Sequence, residues 1–118
     1  MTVLILGASL NPNRYSNMAL NDLLDYGFDV IAVGNRSGML RGVEISTELP
    51  TKSGIDTVTL YLGPSNQLVY YSYLIALKPR RVIFNPGAEN DELAKELIAA
   101  GIEVLEACTL VMLRTNQF

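Results

Sequence analysis

The sequence predicts an α/β fold, a parallel sheet covered by helices on both faces, and three observations carry that prediction. Short continuous apolar runs recur along the chain, segments with helical spacing separate most of them, and a turn rich in Gly, Ser and Asn follows the first run at once. A continuous apolar run marks a strand buried on both faces, as strands of a parallel sheet are. Strands that alternate with helices join such a sheet through right-handed crossovers.

The first run is "TVLIL", Thr2 to Leu6, and similar runs follow at Val30–Val33, Val58–Leu62, Val82–Phe84 and Val104–Leu105. They read as five parallel strands in the order 3-2-1-4-5, numbered along the chain. Between the first two, Leu20, Leu23 and Leu24 share one stripe of a helix, and Gly27 can end it in the left-handed conformation. The segment Gly34 to Thr57 mixes Gly, Ser, Pro and charges with weak periodicity, which predicts a long loop with one short helix near Glu48. Pro64 and Ser65 open a third crossover whose Leu68, Ser72 and Ile75 are spaced by three or four, with Leu68 and Ile75 facing inward, and Pro79 stops it. The last crossover runs from Asn90 through Leu93, Leu97 and Ile98 to Gly101, with Asp91 and Glu92 at its positive amino end. The whole is a Rossmann-like three-layer sandwich, with residues 1–118 as one domain.

Composition narrows the function. At 118 residues and 49% hydrophobic content the chain can bury one core. Nine Lys and Arg against twelve Asp and Glu leave a net charge of −3, without the basic surplus that holds proteins on nucleic acid; no nucleic-acid partner is expected. No charged leader precedes an apolar run and no apolar stretch approaches the roughly 18 residues of a membrane span, so the expected location is cytoplasmic, without a membrane partner. With no His and a single Cys, no zinc site is expected.

In a sheet of this kind ligands sit beyond the carboxyl ends of the strands, where strand order reverses. The segment "GASLNPNRYSN", Gly7 to Asn17, lies there. Its small residues allow close approach of the backbone, and the helix that follows offers unpaired N–H groups to an anion. Arg14 stands at the start of that helix and no acid occurs before Asp22. One glycine, where the dinucleotide fingerprint G-x-G-x-x-G has three, leaves a plain strand-to-helix turn as the competing reading. After the second strand, "VGNRSGMLRG" holds Asn35, Arg36 and Arg41 where an NAD-binding protein usually places an acid for the ribose hydroxyls. Donors there suit a phosphorylated ribose; solvated surface arginines are the alternative.

The run "VLILGASLNPNRYSN", the long loop after "VIAV" and the tail "IFNPGAENDELAKELIAAGIEVLEACTLV" resemble the small single-domain CoA-binding proteins with a Rossmann fold. That family is similar to the N-terminal domain of the succinyl-CoA synthetase alpha chain. The resemblance covers essentially the whole chain and implies binding of coenzyme A or an acyl-CoA. By that resemblance Gly7, Ala8, Ser9, Asn11 and Pro12 form the phosphate-binding turn and Arg14, Tyr15 and Ser16 its polar helix start, together holding the pyrophosphate. Asn35 matches the Asn of a Val-Asn-Pro sequence, a pattern that Gly34 and Arg36 break. Asn85, Pro86 and Gly87 match the turn that flanks the pantetheine arm. Where many members cap the third strand with Arg, this chain reads "LYLGPSN".

Cys108 reads two ways, as a small buried hydrophobe among Leu105, Ala107 and Leu110, or as a neighbour of the CoA thiol able to form a mixed disulfide. Tyr70, Tyr71 and Tyr73 point in different directions on a helix and read as packing. No arrangement of base and nucleophile is evident, so binding without catalysis is expected. The alternative function is an NADP-binding reductase or regulatory domain, with Arg36 and Arg41 reading a 2′-phosphate. A receiver-like signalling domain would need acids after the first and third strands, and Gly7-Ala8-Ser9 and Leu62-Gly63-Pro64 supply none.

Overall fold

The computed structural model describes residues 1–118. Its strands are β1 (Thr2–Leu6), β2 (Asp29–Val33), β3 (Gly38–Leu40), β4 (Val43–Ser46), β5 (Ile55–Leu60), β6 (Arg81–Phe84) and β7 (Glu103–Glu106). The helices are α1 (Tyr15–Asp25), α2 (Tyr71–Leu77), α3 (Asp91–Ala99) and α4 (Thr109–Arg114). All strands join one sheet in the order β3-β4-β2-β1-β5-β6-β7, and every neighbouring pair is parallel except β3 with β4.

β1 shows why an unbroken apolar run was needed. Val3, Leu4, Ile5 and Leu6 are all fully buried, and they alternate between two cores. Val3 and Ile5 meet Leu20 and Leu23 of α1 and Leu113 of α4 on one face. Leu4 and Leu6 meet Leu74 of α2 and Leu93 and Leu97 of α3 on the other. A strand with a polar residue at either register position would leave one of these layers unfilled.

The sandwich and its α/β class agree with the sequence; the strand count and order do not. There are seven strands, and the run around Val58 lies beside β1 on the side opposite β2. The place beyond β2 is taken by β4, from the segment expected to be a loop with a helix near Glu48; that helix does not form. Instead Gly38 to Ser46 make a hairpin whose second strand pairs parallel with β2, Ala32 opposite Ile45. Ile45 is fully buried in the α1 and α4 core, which is what draws the segment into the sheet.

The third crossover also differs. From Pro64 the chain makes two 3-10 turns, Pro64–Asn66 and Leu68–Tyr70, before α2 begins. Leu68 is 64% exposed rather than inward, and Leu74 is the buried anchor of α2. Ile75 does pack against the core. On α3, Leu93 and Leu97 are buried while Ile98 is exposed. α4, beyond the last strand, had no counterpart in the sequence reading. The end of α1 follows it closely: Gly27 at φ 85° sits just past the helix, with the Phe28 amide donating to the Leu23 carbonyl at 3.0 Å.

Candidate functional site

The register aligns Leu6, Val33, Leu60 and Phe84 at one level across β2-β1-β5-β6. Four loops therefore leave the sheet together, and between them lies a cleft of about 830 Å³. Strand order turns about β1, so this is the crevice where an open α/β sheet accepts a ligand. The β1 loop is built from nested turns. The Ser9 hydroxyl accepts from the Asn11 amide and the Asn11 side chain from the Asn13 amide, each at 3.0 Å. Pro12 then occupies the second position of a turn closed by the Arg14 amide on the Asn11 carbonyl at 3.0 Å. Asn17, 5% exposed, donates to the Ser9 carbonyl at 2.9 Å and ties this loop to the first turn of α1.

Two glycines are required by close approach. A Cβ on Gly7, whose φ is 98°, would stand 2.9 Å from the Tyr61 carbonyl oxygen, and one on Gly34 would stand 2.2 Å from the Ala8 carbonyl oxygen. The amides of Gly7 and Ala8 both donate to the Val33 carbonyl at 2.9 Å. The Ser9, Leu10, Tyr15 and Ser16 amides have no partner in the chain, and no side chain caps α1. The contrast with α3 is complete, since there Asn90 caps the Leu93 amide at 3.2 Å and Asp91 and Glu92 fill the first turn.

The lining of the cleft carries two arginines, Arg14 and Arg36, and no carboxylate. Neither arginine is in an ion pair; the three ion pairs of the molecule involve Arg41, Arg80 and Arg114. An acidic chain thus keeps a basic cleft with free amides at one helix end, a donor set for phosphate groups. No cluster of His, Cys, Asp or Glu is positioned to hold a metal ion.

A family model described as a CoA binding domain matches residues 1–114. The chain belongs to the CoA binding domain family. No curated protein matches it. Among solved structures, this CoA binding domain is similar to a crystal structure of an uncharacterized protein at 49% identity, over 99% of this chain and 97% of the other, with a TM-score of 0.96. The structure of cell-free ID.343 from Thermus thermophilus matches at 27% identity over 99% and 90%, with a TM-score of 0.87. The dinucleotide forming acetyl-coenzyme A synthetase 1 of Ca. Korarchaeum cryptofilum, in complex with phosphate and ADP, shares the fold at 18% identity and a TM-score of 0.73, over 90% of this chain and 25% of that one.

Of the residues expected at the site of this CoA binding domain, Gly7, Ala8, Ser9, Asn11, Arg14, Tyr15, Ser16, Asn35, Arg36, Pro86 and Gly87 line the cleft. Pro12 shapes the turn behind it. Asn85 is 1% exposed and faces inward, donating to the Thr59 hydroxyl at 2.6 Å and the Leu60 carbonyl at 2.8 Å and accepting from the Thr109 amide at 2.9 Å. Arg41 turns away to Asp25, 2.8 Å, and to the Asn21 carbonyl, 3.2 Å. Cys108 is half-buried at the start of α4 and is not among the lining residues. Leu10, Ser37, Tyr61, Leu62, Gly63, Asn66 and Ala88 line the cleft without having been named as site residues. Tyr61, Leu62, Gly63 and Asn66 follow β5, the strand the sequence reading placed away from β1, so a correct strand order would have found them. Tyr61 borders the cleft with a buried hydroxyl that has no hydrogen-bond partner, and burial pushes its pKa up to about 12.

Proposed function

We propose that this CoA binding domain holds coenzyme A or an acyl-CoA in the cleft and carries out no covalent chemistry on it. The observation that supports this best is the pairing of two ion-pair-free arginines with four unpartnered amides in a lining without carboxylates. The Ser9 to Ser16 segment, with Arg14, is assigned to the pyrophosphate. Arg36 is assigned to the 3′-phosphate of the ribose, with Asn35 beside it. The pantetheine arm is assigned to the passage between Tyr61–Asn66 and Pro86–Ala88. No group of the lining is a base at neutral pH, since His is absent from the chain and the Tyr61 hydroxyl keeps its proton.

Calorimetry with CoA and dephospho-CoA tests the assignment, because the two differ only in the 3′-phosphate. A charge-assisted hydrogen bond contributes about 1.5 to 3 kcal/mol, and Arg36 is exposed, so Arg36→Ala should weaken CoA by roughly tenfold. Dephospho-CoA should bind both proteins alike. Equal loss for both ligands would move Arg36 to the pyrophosphate. NADP binding more tightly than CoA to the unmodified protein would replace the reading. Arg41 would have to leave Asp25 to reach a ligand, which makes Arg36 the informative position.

A further inference from the structure

The second 3-10 turn and the residue before it are folded inside out. Leu68 and Val69 are 64% and 78% exposed, while the polar Gln67 just before them is 1% exposed. Burying the glutamine amide and leaving two aliphatic neighbours in water runs against ordinary patterning, and such local conflicts concentrate at functional sites. What the buried amide does is plain from its partners. Its Nε2 donates to the Leu62 carbonyl at 2.8 Å and to the Ala88 carbonyl at 2.7 Å, and its Oε1 accepts from Asn90 Nδ2 at 2.9 Å. Both amide protons are thus used.

Leu62 and Ala88 belong to the loops after β5 and β6, which form facing parts of the cleft lining. The β5–β6 ladder ends at Leu60 and Phe84, and past the Asn85 amide, 3.4 Å from the Leu60 carbonyl, no backbone hydrogen bond joins the two loops. Gln67 is the bridge. Asn90 extends it, donating also to the Tyr71 hydroxyl at 2.9 Å while capping α3.

Resting on the CoA reading of the cleft, we infer that Gln67 is a positioning residue that sets the width of the passage between the β5 and β6 loops, and so governs the pantetheine half of the ligand while leaving the nucleotide half untouched. The nucleotide half is assigned to the loops after β1 and β2, while the Gln67 side chain bonds only to Leu62, Ala88 and Asn90.

The test uses Gln67→Met, which keeps the length and apolar volume, and Gln67→Glu, which keeps the outline while removing the two N–H donors. Each is titrated calorimetrically with CoA and with adenosine 3′,5′-bisphosphate, the nucleotide half alone. The expected result is a loss of roughly tenfold or more for CoA, with the bisphosphate within about twofold of the unmodified protein. Unchanged CoA affinity, or equal loss for both ligands, overturns the inference, as does failure of both variants to fold, which would make Gln67 structural. If the unmodified protein binds neither ligand, the CoA reading fails on its own. Hydrogen exchange of the free protein then decides about Gln67: faster exchange confined to residues 62–66 and 86–89 in the variants supports the bridge, and an unchanged pattern removes it.

Discussion

At Gly7 the chain has two independent reasons to refuse a side chain. Its φ of 98° lies in the region that L-residues rarely adopt, and an added Cβ would meet the Tyr61 carbonyl, which is backbone and cannot swing aside. Gly7→Ala should therefore cost about 2 kcal/mol or more of unfolding free energy in denaturant titration, with or without ligand. Glycine there was readable from sequence as a point of close approach, but the approach that the fold contains is to the next strand's loop, information that a linear reading with the wrong neighbour for β1 does not hold. Tyr61 offers a second check at this scale. Desolvation raises its pKa to about 12 from 10, so its neutral form stabilises the fold fully below pH 10, and that contribution is lost as pH rises toward 12. In an absorbance titration of the six tyrosines, the last to ionise should disappear in Tyr61→Phe, and the variant should lose less stability between pH 10 and 12.

Among the elements, the amino ends of α1 and α3 do opposite work with the same geometry. α3 satisfies its own end through Asn90 and adds acids, as a purely structural helix does; α1 leaves its end open beside two loose arginines. Asn90→Ala should cost about 1 kcal/mol for the lost cap, and more for the Gln67 and Tyr71 contacts that go with it, measured as a lower denaturation midpoint at constant slope. Both helix ends were legible because capping residues and charges are local signals. The β3–β4 hairpin was not. Its two-residue turn is Arg41-Gly42, both at positive φ, 50° and 83°, a conformation usually announced by Asn-Gly or Asp-Gly. With Arg in the first place and strands of three and four residues, the segment carries neither a turn signature nor enough alternation to declare itself. The 3-10 turns before α2 escaped for a related reason: Leu68 and Ile75 have helical spacing, yet burial of Gln67 rotates the first of them out to solvent.

For the molecule as a whole, the cleft is assembled from residues 7–16, 35–37, 61–66 and 86–88, segments that are distant in the chain and neighbours only once β2, β1, β5 and β6 have paired in register. The lining residues nearest β1 were visible from sequence because one contiguous stretch carries them; those after β5 depend on strand order, and those after β6 were visible only in part. Assembly from four separated segments also means that the unfolded chain has no remnant of the site. Occupancy and folding then become a single linked equilibrium, in which ligand withdraws only the native form and the unfolded population falls by mass action. CoA at about a hundred times its dissociation constant should add about 2.7 kcal/mol to the unfolding free energy, a rise of roughly 10 °C in the melting temperature. A melting curve indifferent to CoA at that concentration would mean that the cleft does not recognise it. If the cleft holds CoA as proposed, the lifetime of the chain against proteolysis would rise and fall with the free ligand.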